Sequence, residues 1–153
     1  MFVVADGQYA SAQTIPSSLI TSNERQITKK EMESKIVVLN FWFMTCGPCL
    51  REMSDLKSLQ ERYGKNNHII FIAISSMDDS EQLEMFRKYK DFGYELIPKN
   101  SNWINYYKIK LYPTNMILDK GQVVFKQEGY NEKKKLVDLE KKITTLVLKQ
   151  DVN

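Results

Sequence analysis

The chain has two cysteines, Cys46 and Cys49, with only Gly47 and Pro48 between them. A structural disulfide framework uses more cysteines, spread along the sequence. A zinc site needs two further ligands, and His68 is the sole histidine. No metal and no cofactor are therefore expected, which leaves a reactive dithiol or two inert thiols that happen to be close. In a reactive pair, one thiolate attacks a disulfide sulfur and the second thiol resolves the mixed disulfide.

The surrounding sequence favours the reactive reading. Residues 36–43 (IVVLNFWF) form a continuous apolar run rich in β-branched and aromatic side chains, as expected of a strand buried on both faces. Beyond Met44 and Thr45 a helical pattern begins, with Leu50, Met53, Leu56, Leu59 and Tyr63 recurring every three or four residues. Cys46 thus falls where a strand ends and a helix starts. The free N–H groups of a first helical turn stabilise an anion, and cysteines in such motifs have pKa values lowered to roughly 3.5–7.5. Pro48 suits a first turn, where its missing N–H costs nothing. Gly47 leaves room for an approaching substrate backbone. Cys49 faces the same side one turn deeper, within reach of a mixed disulfide on Cys46. A C-x-x-C elsewhere would carry far less weight than this one, set between strand and helix.

The remaining elements follow from pattern. Residues 1–25 read as irregular, with one short strand near residues 2–5. Thr28 and Glu31 have capping-box spacing, so a short helix starts there and ends at Ser34-Lys35. Residues 68–75 (HIIFIAIS) form a second buried strand, and Asp78-Asp79-Ser80 cap a helix carrying Leu83, Phe86 and Tyr89. A short helix is expected over residues 101–107. Strands at 115–118 and 123–126 are joined by Asp119-Lys120-Gly121, a hairpin turn with glycine supplying positive φ. Asn131 is expected to cap a last helix with Leu136, Leu139, Ile143 and Leu146 on one face. The first half is a βαβ unit and the hairpin adds antiparallel strands, giving an α/β fold with a mixed central sheet flanked by helices.

Composition sets limits. The chain has 153 residues, of which 42% are hydrophobic, enough for one domain with its own core. A net charge of +3 from 22 basic and 19 acidic side chains gives no dedicated nucleic-acid surface. Lys133-Lys134-Lys135 reads as the solvated side of the last helix, and Trp103, Tyr106 and Tyr107 as aromatic packing. No apolar run approaches the roughly 18 residues of a membrane helix. Ala10-Ser11-Ala12 has the small-residue character of a cleavage site, but residues 1–7 lack a positive start, so a complete signal peptide is not present in this chain.

Val38-Leu39-Asn40-Phe41-Trp42 followed by Cys46-Gly47-Pro48-Cys49 resembles the thioredoxin superfamily. Asn40 and Glu52 point to its extracytoplasmic TlpA/ResA-like branch. Tyr112-Pro113-Thr114, followed by a strand and a D-K-G turn, is similar to the loop that carries a cis-proline in that family. The similarity runs from Ile36 to the C-terminus, so residues 1–35 are expected to be an N-terminal extension packed on or preceding the core, and 36–153 a thioredoxin-like domain.

The resemblance implies a thiol-disulfide oxidoreductase, a reductase or isomerase, in which Cys46 attacks and Cys49 resolves. It implies a cis bond before Pro113, with the Tyr112 backbone pairing to an extended substrate segment. Trp42, Gly47, Pro48, Tyr112, Pro113 and Thr114 would then form the substrate surface, Trp42 lying beside the dithiol; the plain alternative for Trp42 is a core residue. Glu52, three residues past Cys49, would be an acid assisting proton movement; the plain alternative is a solvated helix charge. Asn40 stands where cytoplasmic thioredoxins carry a buried Asp. An amide takes no proton from Cys49, so Glu52 or water must. The implied partners are protein thiols or disulfides, cytochrome c apoproteins among them, and a redox partner that recycles the dithiol, with neither nucleic acid nor metal. The implied location is the periplasm or cell envelope. The chain departs from the family in having Thr45 rather than Trp before the first cysteine, and Ser54 rather than Pro after the glutamate. Two other functions remain open: a non-enzymatic binding module, and a thiol peroxidase, whose usual Pro ahead of the reactive cysteine is missing here.

Overall fold

The computed structural model describes residues 2–4 and 15–152. Its strands are β1 (Phe2–Val4), β2 (Leu19–Ile20), β3 (Gln26–Ile27), β4 (Ile36–Trp42), β5 (Ile69–Ser75), β6 (Glu95–Ile97), β7 (Thr114–Asp119) and β8 (Gln122–Glu128). Its helices are α1 (Lys29–Glu33), α2 (Gly47–Tyr63), α3 (Ser80–Tyr89), α4 (Ser101–Tyr106) and α5 (Val137–Val152). Ala10-Ser11-Ala12 lies outside the described residues.

The main sheet has the order β1-β8-β7-β4-β5-β6. Strands β4, β5 and β6 are parallel, and β7, β8 and β1 are added antiparallel. Every residue of β4 is buried, and its side chains alternate between two cores. Ile36, Val38 and Trp42 pack under α2, α3 and α5 with Met53, Leu56, Leu83, Leu139 and Ile143. Val37, Leu39 and Phe41 face the other way, onto Ile15, Leu19, Ile27, Met32 of α1 and Trp103 of α4. That two-sided burial is why the strand reads as one apolar run. The β7–β8 turn has Lys120 at φ 51° and Gly121 at φ 81°, two consecutive left-handed residues as a tight two-residue hairpin requires.

The structure corrects the sequence reading in three places. Strand β6 and the two-residue strands β2 and β3 were not expected. Asn131 does not cap a helix: its Oδ1 accepts from the N–H groups of Lys133 and Lys134 in a turn, and α5 begins only at Val137. The cap of α3 is Asp79 alone, in a capping box with Gln82, while Asp78 is buried for another purpose.

Candidate active site

Trp42 ends the central strand β4, and a tight turn follows, closed by the Cys46 N–H donating to the Phe43 carbonyl at 3.1 Å. Within that turn the Met44 N–H donates to Asp78 Oδ2 at 2.9 Å. The same oxygen accepts the Ser75 hydroxyl at 2.7 Å, fixing the turn to the end of β5. Cys46 is the N-cap of α2, with Pro48 in the first turn. Its Sγ accepts from the Cys49 N–H at 3.3 Å, so a first-turn amide points at this sulfur. Cys46 and Cys49 form a disulfide with Cα atoms 5.2 Å apart.

The oxidised pair is nearly closed to solvent. Cys46 is 4% exposed and Cys49 1%. Thr45 and Gly47, however, are exposed on either side of Cys46, so the pair lies directly beneath the surface rather than deep in the core. A Cβ at Gly47 would meet only Arg51 Nη1, at 3.4 Å; the chain itself does not demand glycine there. Arg51 lies beside this glycine and pairs through Nε with Glu132 Oε1 at 2.9 Å.

Glu52 projects from α2 into the protein and is fully buried. It is therefore not a solvated helix charge. Its Oε1 accepts from Asn40 Nδ2 at 2.8 Å, and Asn115 Nδ2 lies 3.3 and 3.2 Å from Oε1 and Oε2. Asn40 also donates to Asn115 Oδ1 at 2.9 Å. Burial pushes the Glu52 carboxyl up to about 8, against the pull of the two amides, and the charge of Asp55 adds to the rise. Such a group changes protonation near neutral pH.

The Tyr112–Pro113 bond is cis, as the resemblance implies. Strand β7 starts at Thr114, paired with Phe41, which brings the preceding loop alongside the turn that leads to Cys46. The Tyr112 ring meets Phe43 edge-on at 5.6 Å between centroids. Desolvation raises the Tyr112 hydroxyl above its ordinary range, opposed by a hydrogen bond to the Ser76 side chain.

Two residues expected at the substrate surface are placed elsewhere. Trp42 is fully buried against Phe86 and Phe92, at 5.2 and 5.5 Å, and supports the dithiol from within the shared core. Thr114 is also fully buried, its hydroxyl donating to the Leu111 carbonyl at 2.6 Å. Gly47, Pro48 and Tyr112 remain at or near the surface, and Pro113 is buried beneath them. Asn115 and Asp78 were missed as parts of the site. The signal for Asn115 was an amide in an otherwise apolar strand; for Asp78 it was an extra acid ahead of a cap that needs one. Among the described residues no group of three or more His, Cys, Asp or Glu side chains is placed to hold a metal ion, and no helix is long and apolar enough to cross a membrane.

Comparison with known proteins agrees with this geometry. The model of the AhpC/TSA family matches residues 8–151. Thiol-disulfide oxidoreductase ResA of Bacillus cereus (strain ZK / E33L) is 32% identical over 132 residues, covering 84% of this chain and 76% of the relative. A putative thiol:disulfide interchange protein DsbE from Chlorobium tepidum superposes with a TM-score of 0.75 at 18% identity, covering 87% of this chain and 94% of that one. A putative thioredoxin from Neisseria meningitidis gives 0.77 at 18% identity, covering 94% and 95%. At these identities the solved structures establish the fold, which is the α/β arrangement expected from the sequence.

Proposed function

The chain belongs to the AhpC/TSA family and is a thioredoxin-fold thiol-disulfide oxidoreductase, and from that premise we propose that it reduces or isomerises protein disulfides through Cys46, Cys49 and Glu52. The observation that carries this reading is the Cys46–Cys49 disulfide at the start of α2, with a first-turn N–H directed at the Cys46 sulfur. When the pair is reduced, the same N–H and the helix terminus favour the Cys46 thiolate. That thiolate attacks one sulfur of a substrate disulfide, and a Cys46–substrate bond forms as the other substrate sulfur leaves as a thiolate. Cys49 then gives its proton to the Glu52 carboxylate. The Cys49 thiolate attacks Cys46 Sγ, closes the intramolecular disulfide and expels the second substrate thiolate. Two electrons pass to the substrate, and a dithiol partner, itself oxidised to a disulfide, must supply two more to reduce Cys46–Cys49 again.

The substrate approaches over Gly47, Pro48, Tyr112 and Pro113, with the Tyr112 backbone offered to an extended segment. Partly unfolded exported proteins fit such a site, and cytochrome c apoproteins are one specific candidate. The 32% identity to ResA supports an extracytoplasmic location. The Gly-Pro spacer, like that of reducing thioredoxins, favours reduction over oxidation.

An insulin-reduction assay tests the reading. Wild type accelerates the reaction and Cys46→Ser abolishes the acceleration. Equal behaviour of the two would leave the binding-module reading instead. A peroxidase would consume peroxide without an added protein disulfide, and this chain is expected not to.

A further inference from the structure

The Glu52 carboxylate is held not by its own helix but by two strands. Asn40 of β4 and Asn115 of β7 are register partners, so their amides stand side by side beneath α2. All three side chains are at most 1% exposed. Asn40 spends its two amide hydrogens on Glu52 Oε1 and on Asn115 Oδ1, at 2.8 and 2.9 Å. Asn115 lies within reach of both carboxylate oxygens, at 3.3 and 3.2 Å. It stands two residues beyond Pro113, on the strand that continues the Tyr112-Pro113 loop.

We propose that Asn115 is the positioning residue of the proton acceptor: it holds both oxygens of Glu52 from the substrate-binding strand and keeps that carboxylate available to Cys49. This rests on the reading of Glu52 given above. Amide donors favour the ionised form of a carboxyl, whereas burial opposes it. The other groups that act on Glu52 or feel its charge all push towards the neutral acid or are themselves acids: Asp55 on α2, Tyr94 ahead of β6 and Tyr130 beyond β8. The cysteine pair, at the start of α2, carries no charge while oxidised. The two amides are thus the groups that work for ionisation, and loss of Asn115 leaves Asn40 alone.

The test uses oxidised protein, in which the cysteines do not titrate, labelled with 13C-glutamate. The Glu52 carboxyl band is assigned by its loss in Glu52→Gln and followed by infrared titration. Asn115→Leu removes the donor, and the isosteric Asn115→Asp replaces it with a like charge. Both move the midpoint upward, the aspartate variant further because two carboxyls then share one buried site; each unit of movement is about a tenfold loss of carboxylate on the acid side of the midpoint. In cycling assays the loss of turnover at neutral pH is recovered on the alkaline side, which a merely structural defect would not allow. Should the leucine variant fail to fold, the aspartate variant decides alone. An unmoved infrared midpoint in a cooperatively folded Asn115→Asp overturns the inference. The role of Glu52 itself is read separately, from the pH profile of Glu52→Gln: an unchanged profile removes the acceptor reading without touching the infrared result.

Discussion

The Met44 backbone N–H and the Asp78 carboxylate are 2.9 Å apart, although 34 residues separate them in the chain. One buried acid thereby ties the turn that delivers Cys46 to the end of β5, where Ser75 donates to the same oxygen. Hydrogen bonds to charged groups contribute about 1.5–3 kcal/mol each, and an unpaired buried partner costs a similar amount. Asp78→Ala is expected to destabilise the oxidised protein by roughly 2–4 kcal/mol, and Asp78→Asn, which keeps one acceptor, by about half as much. Urea unfolding measures both. An alanine variant as stable as wild type would contradict the brace.

Stability should depend on pH through Glu52. Burial lifts its carboxyl from 4.5 to about 8 in the folded protein, so the native state binds this proton more tightly than the unfolded chain. The contribution is complete below the unfolded value and is lost as pH rises through the folded one, at up to about 1.4 kcal/mol per pH unit. Unfolding midpoints of oxidised protein should therefore fall from mildly acidic to mildly alkaline pH. Glu52→Gln should flatten the slope, and a slope that survives in that variant would assign the effect to another group.

Tyr112 should act on protein substrates more than on small ones. Tyr112→Ala removes the edge contact with Phe43 and the hydroxyl bond to Ser76. These contacts lie within the protein and order the loop that offers the Tyr112 backbone to substrate; losing that order should raise KM for a protein disulfide by up to about tenfold, with the roughly 0.5–1.5 kcal/mol of one such pair as the ceiling. Turnover of a small aromatic disulfide should stay within about twofold of wild type, since the cysteines are untouched. Equal losses on both substrates would place Tyr112 in the redox step itself.

The parts of the molecule that were legible in the sequence are those whose causes are local. The apolar run of β4, the helical spacing from Leu50 to Tyr63 and the Lys120-Gly121 turn each state their conformation within a few residues. The three residues of β6 do not; a run that short carries no period, and its strand exists because β5 offers an unpaired edge. Asn115 and Glu52 are 63 residues apart, so the amide's purpose appears only once β4 and β7 are in register. Asp78 was read as a cap because it precedes Asp79, and only the returning turn at Met44 shows otherwise. The resemblance alone puts Trp42 at the substrate surface; the alternation along β4 turns it into the core, the plainer reading of an aromatic in an apolar strand.

Division of labour between the two sulfurs is the centre of this account, and mixed-disulfide trapping measures it directly. Reduced Cys49→Ser, mixed with a protein disulfide and quenched with acid, should accumulate a covalent adduct through Cys46 that dithiothreitol releases. Cys46→Ser should accumulate none under the same conditions. An adduct that forms equally in both variants, or in Cys46→Ser alone, would contradict the assignment of Cys46 as the attacking thiolate.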